Sequence, residues 1–122
     1  MPKILVVDDD AVIQQLIEVN LELEGYEVVK ASNGEEALAK VAEERPDLVL
    51  LDVMMPRLNG RDVCLRLKND EATASIPIIF LSARAQEMDV EAGLERGADA
   101  YVTKPFDPSE LLETITELLG GS

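Results

Sequence analysis

Four polar sites in this chain each follow an apolar run. Asp8 and Asp9 follow Ile4-Leu5-Val6-Val7, Asp52 follows Leu48-Val49-Leu50-Leu51, Ser82 follows Ile78-Ile79-Phe80-Leu81, and Lys104 follows Ala100-Tyr101-Val102-Thr103. If the runs are neighbouring parallel strands, three carboxylates, a hydroxyl and an ammonium meet at one sheet edge. Two carboxylates roughly 4 Å apart repel by about 4 kcal/mol at an effective dielectric of 20. Three together take up a proton or a cation. Oxygen-only ligands favour Mg²⁺, Mn²⁺ or Ca²⁺ over zinc, and Mg²⁺ pairs readily with phosphate. A carboxylate can also accept a phosphoryl group as an acyl phosphate. Lys104 can neutralise a phosphoryl oxygen, and the Ser82 hydroxyl can donate a hydrogen bond to one. Asp52 is the better nucleophile candidate because it stands alone, whereas Asp8 and Asp9 form a pair suited to metal.

The elements that must position these groups alternate five times between strand and helix. The short apolar runs 4–7, 48–51, 76–81 and 100–102 read as strands buried on both faces, with 26–31 as a weaker one. Helices are predicted over 12–24, 35–44, 60–68 and 86–96, with a last one from Pro108. Gly25 and Gly97 close two of them, Pro46 stops another, and Asn33 and Asn59 serve as caps. Asp107-Pro108-Ser109-Glu110 supplies an acceptor at N-cap, Pro at N1 and Glu at N3. Such alternation implies an α/β domain of parallel βαβ units, whose ligands bind beyond the carboxyl ends of the strands.

Composition narrows the possibilities. The 122 residues fit one domain, 1–122, with an aliphatic core, since 47% are hydrophobic but only two Phe, two Tyr and no Trp contribute. No apolar stretch is long enough to span a bilayer, and no signal-peptide pattern opens the chain. Cys64 is the single cysteine, so an internal disulfide is excluded and a cytoplasmic location is expected. Asp and Glu number 25 against 11 Lys and Arg, a net charge of −14, which opposes direct contact with nucleic acid or anionic lipid. The absence of His excludes Ser-His triads and His-ligated metals.

Each candidate has a plainer reading on its own. Asp8-Asp9-Asp10 could be a capping cluster favoured by a helix dipole, and Asp10 is expected to be a cap. Asp52 could be a turn acid, Lys104 a surface lysine, Ser82 a helix cap and Tyr101 a half-buried strand residue. The convergence of the set favours a site. The first helix carries apolar residues at 12, 13, 16, 17, 19, 21 and 23, roughly half its circumference and wider than the usual stripe of about 100°. The excess implies either a partner-docking face or deeper packing. The 86–96 helix has a poor stripe and an internal Gly93, costing about 1 kcal/mol relative to Ala, as suits a weakly held element.

At these residues the chain resembles the receiver domain of two-component response regulators, of the chemotaxis-regulator type. The resemblance rests on Val6-Val7-Asp8-Asp9, Leu51-Asp52-Val53-Met54-Met55-Pro56 with Asn59-Gly60, Leu81-Ser82-Ala83, and Gly97-Ala98-Asp99-Ala100-Tyr101-Val102-Thr103-Lys104-Pro105-Phe106. It implies a flavodoxin-like, doubly wound five-stranded parallel sheet in the order 2-1-3-4-5 with five helices. It further implies Asp52 as phosphoacceptor, Asp9 as a direct metal ligand with Asp8 beside it, and the Met54 backbone carbonyl as another ligand. Ser82 and Tyr101 become the switch pair, Lys104 the phosphate-binding lysine, and Lys104-Pro105 a cis bond. The expected cofactor is Mg²⁺, with Mn²⁺ or Ca²⁺ as substitutes. The expected donor is the phosphohistidine of a sensor histidine kinase or histidine phosphotransfer protein, or acetyl phosphate. The output is a changed surface on the fourth helix, fifth strand and fifth helix, read by an unknown protein target. A monomer is expected, with phosphorylation-dependent dimerisation as the alternative. Either a free-standing receiver or one cut from a longer chain, with Gly120-Gly121-Ser122 opening a linker, fits the sequence. The chain is expected to be a signalling phosphoacceptor that assists its own phosphorylation and dephosphorylation, not a turnover enzyme.

Two rivals share parts of this chemistry. A Mg²⁺-dependent phosphohydrolase needs an acid/base aspartate two residues after its nucleophile. Asp52 lacks one, but Asp8 and Asp10 have that spacing. A flavin-binding electron carrier needs a phosphate-cradling loop after the first strand, where Asp8-Asp9-Asp10 would repel the phosphate.

Overall fold

The computed structural model describes residues 2–52, 60–82, 99–103 and 107–120, without the side chains of Arg61, Ser82, Tyr101 and Thr103. Five strands, β1 (Lys3–Val7), β2 (Glu27–Ala31), β3 (Leu48–Asp52), β4 (Ile78–Ser82) and β5 (Ala100–Thr103), form one sheet in the order β2-β1-β3-β4-β5. Every neighbouring pair is parallel. Four helices are described: α1 (Ala11–Leu23), α2 (Gly34–Glu44), α3 (Gly60–Lys68) and the last helix (Pro108–Leu118). The expected 86–96 helix, its closing Gly97 and the Asn59 cap lie outside the described residues.

Alternation along the strands explains why both faces are covered. Leu5, Val7, Val49, Leu51, Ile78 and Phe80 pack with α2 and α3 residues such as Ala37, Val41, Val63 and Leu67. The intervening Ile4, Val6, Leu48, Leu50, Ile79 and Leu81 pack with Ile17 and Leu21 of α1 and Leu111 and Ile115 of the last helix. The inner strands β1, β3 and β4 therefore need apolar residues on both faces, which is why β1 and β3 read as apolar runs, whereas the edge strand β2 buries only Ala31. Cys64 is fully buried in α3, and burial pushes its thiol up to about 11. It stays protonated and unreactive at neutral pH.

The helix ends follow local chemistry. The Asp10 carboxylate accepts from the Val12 and Ile13 amides at 2.9 and 3.4 Å, so α1 starts at Ala11, one residue before the expected start. At its other end Gly25 adopts φ 88, its amide donates to the Glu22 carbonyl at 3.0 Å, and Tyr26 donates to Leu21 at 3.1 Å. That Schellman closure uses the Tyr26 amide, so β2 begins at Glu27 and not at Tyr26. The α2 helix ends differently, on Arg45 in the left-handed region (φ 48) just before Pro46. Its start is capped by Asn33, whose side chain accepts from the Glu36 amide at 2.8 Å. Asn33→Ala is expected to lower stability by about 1 kcal/mol, read as a lower urea midpoint with an unchanged m-value.

The strand β4 begins at Ile78, two residues later than the expected 76–81. The Ile76 amide is committed to a turn, donating to the Thr73 carbonyl at 3.0 Å, and Pro77 has no amide to offer a ladder. Lys68 then fixes the entry to both edge-ward strands. Its Nζ donates to the carbonyls of Ala74 and Ile76 and to Asp99 Oδ2, and that same oxygen accepts from the Ile78 amide at 2.9 Å. These contacts register β4 against β5 at the end of the sheet opposite the site.

Candidate metal centre

The registers bring the expected strand ends level with one another. Val7 pairs with Leu51, so Asp8, just past β1, stands beside Asp52, the last residue of β3. Asp52 pairs with Leu81, and Ser82 with Thr103 at the ends of β4 and β5. Asp8, Asp9 and Asp52 each present a carboxylate oxygen within 4.8 Å of the others. Asp8 and Asp52 are buried while Asp9 is exposed. The expected trio of acids is thus assembled with one solvent-facing member.

At that spacing each pair of charges repels by at least roughly 3 kcal/mol at an effective dielectric of 20. One local donor offsets part of this: the Asp10 amide donates to Asp8 Oδ1 at 2.9 Å. Among the described residues the donors are carboxylate oxygens, which fit a hard divalent cation of the Mg²⁺ class better than zinc. The same burial places the Asp52 carboxylate at the end of a rigid central strand, where its direction is set by the sheet.

Ser82 and Tyr101 are placed by their backbones, in β4 and β5, while their side chains lie outside the description. Met54, Lys104 and the Lys104-Pro105 bond lie outside the described residues altogether. Two rivals lose ground at the same edge. Asp10, the acid/base aspartate a hydrolase would need, is engaged as the α1 cap. Phe80 is fully buried within the sheet and cannot face a flavin ring.

One residue of the site was not foreseen. Gln14 shares the core-facing side of α1 with Ile17 and Leu21 and is buried. Its amide nitrogen donates to the carbonyls of Asp8 and Ala31. The available signal was a polar residue on the buried face of an amphipathic helix, where a polar side chain needs partners.

Residues 4–116 match the family described as response regulator receiver domain. The DNA-binding dual master transcriptional regulator RpaA of Synechocystis is 45% identical over 119 residues, covering 98% of this chain and 49% of that protein. The alkaline phosphatase synthesis transcriptional regulatory protein PhoP of Bacillus subtilis is 49% identical over 117 residues, covering 96% and 48%. The chain spans about half the length of the curated relatives it matches. Among solved structures, the Vibrio cholerae chemotaxis protein CheY4 superposes with a TM-score of 0.88 at 34% identity, covering 97% of this chain and 98% of that one.

Proposed function

This chain belongs to the response regulator receiver domain family, and on that premise we propose that it receives a phosphoryl group on Asp52 with Mg²⁺ held by Asp8, Asp9 and Asp52. The observation that carries the reading is the convergence of these three carboxylates within 4.8 Å at the carboxyl edge of the sheet. An Asp52 oxygen attacks the phosphorus of a partner's phosphohistidine. The new P–O bond forms as the P–N bond breaks, and the imidazole leaves with its electron pair and takes a proton from solvent. The donor is external because this chain has no His. Bound Mg²⁺ supplies charge neutralisation between the carboxylates and the phosphoryl oxygens. Lys104 and Ser82 take the remaining phosphoryl oxygens, and the Met54 carbonyl completes the protein ligands. Ser82 and Tyr101 relay the change to the surface built around β5 and its flanking helices. The protein is a stoichiometric acceptor and not a turnover enzyme.

Acetyl phosphate with Mg²⁺ tests this. Intact mass should rise by at most one phosphoryl group per chain, and a chelator should block the gain. Sustained hydrolysis of a phosphate ester would favour the hydrolase instead.

The partner is a histidine kinase or histidine phosphotransfer protein that seats on α1. Val12, Leu16, Val19 and Leu23 are 72, 49, 48 and 80% exposed. They recur at helical spacing and form a second apolar stripe beside the core-facing Gln14, Ile17 and Leu21. The excess of apolar residues on this helix is therefore surface and not deeper packing. Val12, Gln15, Leu16 and Val19 line a shallow groove of about 290 Å³. Leu16→Glu and Val19→Glu should slow transfer from a phosphohistidine donor by about tenfold, while acetyl phosphate labelling is unchanged. Equal loss of both would refute the docking role.

The output is read by a protein target. The net charge of −14 opposes contact of this domain with nucleic acid, although RpaA is named as DNA-binding. No described helix is long and apolar enough to cross a membrane. We place the domain in the cytoplasm as a monomer that can dimerise on phosphorylation.

A further inference from the structure

We propose that Gln14 is a positioning residue for the metal centre, setting the Asp8-Asp9 peptide from below. The inference rests on reading Asp8, Asp9 and Asp52 as a Mg²⁺ centre.

Gln14 is 8% exposed. Its Nε2 donates to the Asp8 carbonyl and to the Ala31 carbonyl at 2.7 Å, with Ser32 Oγ lying 3.3 Å away. A glutamine amide carries two N–H groups, so the two carbonyls account for its donors. Around it, the Asp8 amide donates to that same Ala31 carbonyl at 3.1 Å, and Asp8 Oδ1 accepts from the Asp10 amide at 2.9 Å. The amide, the carbonyl and one carboxylate oxygen of Asp8 are thus all tied, and Gln14 supplies the tie on the carbonyl.

That tie reaches the second acid as well. The Asp8 carbonyl belongs to the peptide unit whose nitrogen is that of Asp9, and the unit is planar. Holding its oxygen fixes the plane from which the Asp9 Cα projects. Asp9 is the exposed member of the trio, so the side chain least constrained by burial is steered through its backbone. The same nitrogen joins the ends of β1 and β2, so α1 locks the loop that precedes it onto the sheet edge. Pre-placing acids that repel one another lowers the reorganisation needed when a cation arrives, which is the part played by groups behind metal ligands.

A merely structural tie makes a different prediction. It would alter the stability of the metal-free protein and leave cation affinity alone. The test uses Gln14→Leu, which is apolar and has no N–H, and Gln14→Met, which keeps the length of the side chain but likewise has no N–H. Mg²⁺ binding is measured by calorimetry and Mn²⁺ binding by electron paramagnetic resonance, alongside thermal midpoints in a chelator. Both variants should weaken Mg²⁺ and Mn²⁺ binding by about tenfold. The Mg²⁺ concentration for half-maximal acetyl phosphate labelling should rise by the same factor, with a smaller change in the rate at saturating Mg²⁺. A lowered metal-free midpoint with unchanged cation affinity would overturn the positioning role and leave the centre itself standing. No Mg²⁺ binding by the wild type, or binding that Asp9→Asn does not weaken, would instead overturn the centre on which the inference rests.

Discussion

Asp52→Asn is expected to abolish acetyl phosphate labelling while leaving the fold intact. Asp52 ends β3, the central strand, with β1 and β4 on either side, and is 4% exposed. An amide of the same shape fits that position, so the sheet should form as before. The amide lacks the nucleophilic oxygen that an acyl phosphate requires. Loss of a nucleophile costs several orders of magnitude in rate, which takes labelling below detection. The two neighbouring acids give the experiment its discriminating power. Asp8 and Asp9 lie within 4.8 Å of Asp52, so a misassigned acceptor would show as labelling that survives in Asp52→Asn and disappears in Asp8→Asn or Asp9→Asn. A circular dichroism spectrum and thermal midpoint near wild type would establish that the loss is chemical.

Mg²⁺ is expected to stabilise the unphosphorylated protein strongly. A ligand that binds only the folded state at a hundred times its dissociation constant adds about 2.7 kcal/mol. For a domain of this size that raises the thermal midpoint by roughly 10 °C. The physical source is relief of repulsion among three carboxylates that the strand ends force together. Asp9→Ala should lose most of this gain. Asp9 is exposed, so its removal leaves no cavity, and only two carboxylates remain to hold the cation. Excess chelator should return the wild type to its metal-free midpoint. A midpoint that responds equally in wild type and Asp9→Ala would place the stabilising cation elsewhere.

The site was legible in the sequence to the extent that strand ends were. Asp8 and Asp52 each close an unbroken apolar run, and a run buried on both faces marks where its strand ends. The order of the strands was another matter. Alternation of strand and helix implies parallel units but permits several orders, and the order 2-1-3-4-5 came from the resemblance before the registers established it. Local chemistry that uses side chains was readable: Asp10 and Asn33 cap as their types suggest, and Gly25 closes α1 with φ 88. Backbone commitments were not. Ile76 looked like strand because it is apolar and β-branched, yet its amide belongs to the turn at Thr73. Arg45 gave no sign of a left-handed φ, which glycine usually supplies. The exposed stripe of Val12, Leu16, Val19 and Leu23 was visible as an excess of apolar residues, but only burial distinguishes surface from deeper packing. Gln14 is not legible from spacing, because its contacts are two carbonyls at the ends of β1 and β2, which only the folded sheet brings together.

Mapping the phosphorylated residue tests the central claim most directly. After treatment with acetyl phosphate and Mg²⁺, borohydride reduction converts an aspartyl phosphate to homoserine, which peptide mass spectrometry locates to a single position. The expected result is homoserine at position 52 alone, absent when chelator replaces Mg²⁺. Homoserine at position 8 or 9, a borohydride-resistant phosphate on Ser82, or no modification at all would contradict it.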